Sequence, residues 1–182
     1  MKYYNKHICF LLTYFSILWL HMDQKAFPDT VVEFLKNNKI AVLATVSSEH
    51  IPDAALVYYI HDEKYTLFIA TFQGSKKIKN IDSNTSVALV IGLEEREATL
   101  QIRGKARVVQ ETAFKASLVE KLASVANSNP DLLHFPPLLA LSSKSSMEFI
   151  EIMIESFKYS NFTSHENNII DGKPYEWTNS SL

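Results

Sequence analysis

The chain has little with which to cross-link itself. Its 182 residues include one cysteine, Cys9, and four glycines. A single thiol excludes an intrachain disulfide and any cysteine-based zinc cage. Six histidines are present, but no two stand at the i, i+4 spacing of a helical zinc site, so no metal site is expected. Formal net charge is only −2, so no global field draws the protein to nucleic acid or an anionic membrane. Any anion site must be local. No internal repeat is visible, and the length suits one domain with a real core.

The longest apolar run is also short. Lys2 and Lys6 precede Ile8 to Leu20, which resembles the n- and h-regions of an export signal but falls below the roughly 17–25 residues of a spanning helix. No small-x-small cleavage site follows. Residues 1–21 are therefore read as an apolar leader with three open explanations: a start codon assigned too early, a membrane tether, or a degenerate export signal. The preferred reading is a cytoplasmic domain over 22–163, followed by a polar, mobile tail over 164–182.

What is present is a series of short strands. A helix is expected from Asp29 to Asn37, with Pro28 near its start, Thr30 and Glu33 at capping-box spacing, and Asn37-Asn38 as a left-handed stop. Ile40 to Val46 and Ile51 to Ile60 are apolar runs separated by only four turn residues, which requires an antiparallel hairpin. Tyr65 to Ala70 and Thr85 to Ile91 follow as strands. Ala98 to Val109 alternates, with Leu100, Ile102, Ala106 and Val108 on one face and Gln101, Arg103, Lys105 and Arg107 on the other. Gly104 interrupts it and predicts a bulge. Glu111 to Ala126 reads as a helix, Asn127 to Ser146 as loop, and Met147 to Phe162 as one long or two short strands. Five or six short strands joined by tight turns, with one inserted and one trailing helix, point to a mainly β fold with flanking helices (α+β), a small antiparallel barrel.

The stretch richest in chemistry runs from Leu67 to Asn80. A strand ends in a loop holding Gly74, and a helix then opens with Ser75, Lys76, Lys77 and Lys79 in its first turns. Free N–H groups and the positive end of the dipole coincide there with hydroxyls and ammoniums. Two readings stay open on spacing alone: a phosphate seat, or a solvated basic helix.

Three blocks together resemble the FMN-binding split β-barrel family related to pyridoxamine 5′-phosphate oxidase. They are Ala41 to Val46 with Pro52 and Ala54 to Ile60; Phe68 to Asn80, similar to a Thr-x-x-x-Ser-x-Lys-x-Arg-Asn run; and Leu100 to Ala106, similar to Leu-x-Val-x-Gly-x-Ala. The resemblance implies a six-stranded split barrel that binds FMN, with a homodimer carrying FMN at its interface. By position it implies that Ser75, Lys76 and Lys77 hold the phosphate and that Ala70 and Thr71 border the flavin or its ribityl chain. It also implies that the backbone of Ala55, Leu56, Val57 and Tyr58 follows the ring edge, and that Thr99 and Gln101 reach the partner's site. The true oxidases have a phosphate-binding arginine where this chain has Ala55, and a C-terminal segment with tryptophan and arginine. Here Trp177 is present but no arginine follows Arg107. The expected activity is therefore that of an FMN-dependent oxidoreductase on some other small substrate, with no catalytic acid or base named. The alternative is a non-catalytic flavin- or haem-binding protein, for which His165 is the positional haem ligand. Tyr58 is the one tyrosine placed to stack on a ring, although strand aromatics more often pack. The Ser142 to Ser146 stretch lacks a histidine partner and reads as a loop.

Overall fold

Pro28 opens the first helix because its fixed φ and missing N–H suit a helix start. In the computed structural model, α1 spans Asp29–Asn37, and the Pro28 carbonyl accepts from the N–H groups of Val31 and Val32. No side chain caps it, so Thr30 and Glu33 do not form the expected capping box; Thr30 already lies inside the helix. Asn38 ends α1 in an extended conformation rather than a left-handed one, with its N–H and its Nδ2 both donating to the Phe34 carbonyl. The structure describes residues 26–92, 97–128, 147–163 and 168–181, with backbone only at 168 and 177–181. The segment 1–21, His134, Ser142 to Ser146 and His165 lie outside those residues.

Six antiparallel strands close a ring. They are β1 (Ile40–Val46), β2 (Pro52–His61), β3 (Leu67–Phe72), β4 (Ser86–Ile91), β5 (Ala98–Val108) and β6 (Met147–Asn161). The order is β3-β2-β1-β4-β5-β6, and pairing of β3 with β6 joins the two ends. The expected six-stranded antiparallel barrel is present. Met147 to Phe162 forms one long strand rather than two. Gly104 marks the expected bulge: the β5–β6 register shifts between Arg103 and Gly104. A side chain at Gly104 would meet the Met153 carbonyl, so close backbone approach, more than turning, explains the glycine.

The polar tail is not the mobile segment expected from its composition. It forms a hairpin of β7 (Asn168–Lys173) and β8 (Glu176–Ser181). One edge of β6 pairs with β3 through Met147 to Ile152, and the same edge farther along, Phe157 to Asn161, accepts β7. Backbone groups on an open edge are a template for another strand whatever its side chains, which is why composition alone missed this hairpin. Its turn is fastened by Tyr175 N–H donating to the Ala26 carbonyl at 2.8 Å.

Two apolar clusters hold the layers. Inside the barrel, Leu43, Tyr59, Ile69, Leu89, Leu100 and Ile152 meet Val31 and Leu35 of α1, which plug one opening. Outside, α3 (Thr112–Ser128) lays Leu118, Leu122 and Ala126 over Tyr58, Ile60, Phe68 and Phe149. Fully burying one such aliphatic side chain contributes about 1.5–3 kcal/mol. The short helix α2 (Lys76–Ser83) follows β3 and sends Ile81 into the barrel core.

Candidate functional site

β2 and β3 diverge, and this divergence makes the site. They pair only through Tyr59, Ile60 and His61. Before Tyr59, β2 keeps β1 on one side, while β3 turns to β6 on the other. Tyr59 N–H donates to the Lys39 carbonyl at 2.9 Å. Bonds to β1 therefore fall on alternate residues, which turns the N–H and C=O groups of Ala54 and Leu56 toward the opposite edge. Among the described residues no strand pairs with that edge at Ala54 and Leu56. Leu56 is also 54% exposed. The stretch implied for the ring edge thus presents open backbone groups beside an exposed apolar side chain, while Ala55 and Val57 side chains join the core cluster of the barrel.

α2 packs against β1 and β5, and its side chains reach Asp53 of β2 and Thr71 of β3. Its start follows from Gly74, whose φ of 73° lies in the left-handed region and turns the chain after Phe72. Ser75 is the N-cap residue, yet its hydroxyl caps no backbone N–H; it accepts from Thr71 Oγ1 at 3.1 Å instead. No acidic residue lies in the first turn. Ile78 N–H donates to the Ser75 carbonyl at 3.1 Å, while the N–H groups of Lys76 and Lys77, which have no intrahelical acceptor, are taken by neither a capping side chain nor an acidic neighbour in the first turn.

Three inward-facing strand residues meet this helix. Thr71, 3% exposed, accepts from Lys77 Nζ at 3.1 Å. Thr45, 2% exposed, accepts from Asn80 Nδ2 at 2.9 Å. Asp53 accepts from Asn80 Nδ2 at 3.0 Å with one oxygen and from Lys76 Nζ at 2.5 Å with the other. The Lys76 and Asn80 hydrogen bonds hold the Asp53 carboxyl below its ordinary pKa. Burial lowers the pKa of Lys77, since a half-buried ammonium loses hydration. Among the described residues, no carboxylate pairs with Lys77.

The residues singled out from sequence divide accordingly. Thr71, Ser75 and Lys77 converge on the start of α2. Lys76 lies beside them, but its ammonium is turned to Asp53. Tyr58 and Ala70 side chains point the other way, into the cluster under α3. The Tyr58 ring is 1% exposed and its hydroxyl pKa is pushed up to about 12 by burial, so it packs rather than offering a face for stacking. Gln101 is exposed on the outer sheet and, with Arg103, Ser156, Lys158 and Asp171, lines a groove of about 540 Å³ that includes none of residues 70–77. Thr99 is half-buried nearby on β5.

Sequence reasoning missed Asp53, Asn80 and Thr45. Asn80 ends the Phe68 to Asn80 stretch, and Asp53 directly follows Pro52. Neither position signals by itself that the two side chains meet across 27 residues.

The donors left over suit a phosphate monoester: the Ser75 hydroxyl proton, the remaining protons of the Lys77 ammonium, which has no carboxylate partner among the described residues, and the N–H groups of Lys76 and Lys77. Among the described residues no group of three or more His, Cys, Asp or Glu could hold a metal ion, and no helix is long and apolar enough to cross a membrane.

Comparison with known proteins places the chain among relatives. The sequence family described as pyridoxamine 5′-phosphate oxidase matches residues 27–161. A search of curated proteins found no match. Among solved structures, General Stress Protein 26 from Bacillus anthracis superposes with a TM-score of 0.57 at 23% identity, over 72% of this chain and 91% of that one. A pyridoxamine 5′-phosphate oxidase-related, FMN-binding protein from Nostoc punctiforme gives 0.64 at 10% identity, over 88% and 99%. HutZ, a haem storage protein from Vibrio cholerae, gives 0.54 at 16% identity, over 70% and 89%. At these identities the likeness is one of fold.

Proposed function

Since the chain belongs to the pyridoxamine 5′-phosphate oxidase family, we propose that it is an FMN-binding flavoprotein, an oxidoreductase acting on a small substrate other than pyridoxamine phosphate. The observation that carries this reading is the start of α2. A helix start without a side-chain cap gathers the hydroxyls of Thr71 and Ser75 and the ammonium of Lys77, which has no carboxylate partner among the described residues. Such a set of donors supports a phosphate ligand.

In this reading Lys77, Ser75 and Thr71 anchor the phosphate together with the first amides of α2. The outward N–H and C=O groups of Ala54 and Leu56 offer hydrogen bonds to a polar ring rim, and Leu56 covers apolar surface beside it. Flavin, when bound, supplies hydride or single-electron transfer, and the protein supplies anchorage, orientation and exclusion of water. No side chain of the site needs to act as acid or base. Ala55 removes the arginine of the true oxidases, which is why the substrate is placed outside that reaction. A homodimer, with Gln101 and Thr99 of one protomer near the flavin of the other, completes the reading.

The second reading is haem binding, favoured by the likeness to HutZ. The visible absorption spectrum of the purified protein separates the two. Flavin bands support the first, and a Soret band replaces it with the second. A colourless protein that takes up neither FMN nor haem on titration ends both.

A further inference from the structure

We propose that Asp53 is an internal counter-ion that competes with the ligand's phosphate for Lys76, and so makes flavin binding weaker and more readily exchanged than the two lysines alone allow. This rests on the flavin reading above.

The geometry gives Asp53 a fixed place and Lys76 a movable one. Asp53 lies within β2, directly opposite Thr45 in the β1–β2 register. One carboxylate oxygen is held by Asn80, itself 4% exposed and bonded to Thr45. The other oxygen takes Lys76. Lys76, by contrast, is 69% exposed, and its four-carbon stem can swing from one oxygen to another. It is the first residue of α2, immediately after Ser75. A phosphate seated on Ser75 and Lys77 therefore lies within the reach of an ammonium that is already occupied.

Charge decides the consequence. Lys76 and Lys77 contribute two positive charges and Asp53 removes one, leaving a single net charge to face a dianion. The ligand must either leave Lys76 with Asp53 or draw it away and expose the carboxylate as a like charge. Both outcomes reduce affinity for the phosphate and leave the interaction with the ring untouched. A site built only to retain flavin gains nothing from Asp53. A site that must release flavin, or take it as an exchangeable co-substrate, does.

The test is a flavin fluorescence titration of the full chain with FMN and with riboflavin, which lacks the phosphate. Asp53→Asn keeps an oxygen for Asn80 and removes the charge. It is expected to bind FMN roughly three- to fivefold more tightly, the range open to a solvent-accessible ion pair, with riboflavin affinity unchanged. The gain is expected to shrink as salt is raised. It should also vanish when Lys76→Gln is added, because it depends on freeing that ammonium. Asp53→Thr, a strand-compatible substitution that also offers Asn80 an oxygen, provides the same measurement should the asparagine variant fold poorly. Equal gains for FMN and riboflavin, or a gain that survives Lys76→Gln, overturn the proposal. Unchanged FMN affinity in both Asp53 variants, with the wild type binding FMN, overturns the counter-ion role and leaves the flavin reading standing. Failure of wild type and variants alike to bind FMN overturns both.

Discussion

Asn80 Nδ2 donates to Thr45 Oγ1 across 2.9 Å, joining α2 to β1 at the end of the barrel with both side chains buried. The same amide nitrogen reaches Asp53 on β2. One side chain thus fixes a helix against two strands, and the position of the helix start depends on it.

Removing that link should loosen the helix. Asn80→Ala leaves the buried Thr45 hydroxyl without its donor, a loss of about 1–3 kcal/mol. Chemical denaturation should show the midpoint falling with an unchanged slope. A variant as stable as wild type would mean that water replaces the amide there.

Lys77 should matter more for binding than for folding. Its ammonium has no carboxylate partner among the described residues, so Lys77→Ala is expected to weaken FMN binding by about 1.5–3 kcal/mol, the range of a charge-assisted hydrogen bond. Calorimetric titration measures this directly. Unchanged affinity would remove Lys77 from the phosphate seat.

On the flavin reading, the same lysine should give FMN binding a pH dependence. Burial lowers its pKa from the ordinary 10.5. Well below the lowered value the ammonium is charged with or without ligand, and the lysine adds no pH dependence of its own. As pH rises through that value the free protein loses the proton and must regain it to bind, so affinity falls. The decline should begin below the range of an ordinary lysine and be absent in Lys77→Ala.

The buried tyrosines make stability depend on alkaline pH. Burial raises the Tyr58 pKa from 10.0 to about 12, and Tyr59 moves in the same direction. Below pH 10.0 folded and unfolded chains both keep these protons, so the contribution is constant. Above it the unfolded chain ionises first and binds fewer protons, and stability falls up to about pH 12. The tyrosinate absorbance of these two residues should therefore appear with unfolding rather than before it.

Gly104 should tolerate no side chain. In Gly104→Ala the added Cβ meets the Met153 backbone carbonyl, which can move only if the β5–β6 ladder shifts. A loss of about 1–3 kcal/mol or more is expected. A thermal melt within a degree or so of wild type would show that the ladder gives way freely.

Much of the barrel could be read from the chain because its signals are local. Leu100, Ile102 and Ala106 alternate with charged residues, and that period of two is a strand wherever it falls. Gly104 broke the pattern and became the bulge. The stretch from Gly74 to Lys77 showed a helix start from turn and charge alone. Local signals also misled. Thr30 and Glu33 had capping spacing, but Pro28 began α1 two residues earlier than they required. The tail looked too polar to be ordered, yet β7 needs only the free edge beyond Phe157 on β6, and an edge recruits backbone without regard to side chains.

Sequence by itself settled where most of the barrel strands lie along the chain, the hairpin between β1 and β2, and the gathering of Ser75, Lys76 and Lys77 at one helix end. Only the tertiary structure decided that β3 closes on β6, that Tyr58 packs under α3, and that Lys76 is taken by Asp53 while Lys77 is not. The reason is one of distance. Periodicity and turn chemistry act between residues a few positions apart. A carboxylate on β2 and an amide on α2 meet only after the barrel has brought their strands and helix together.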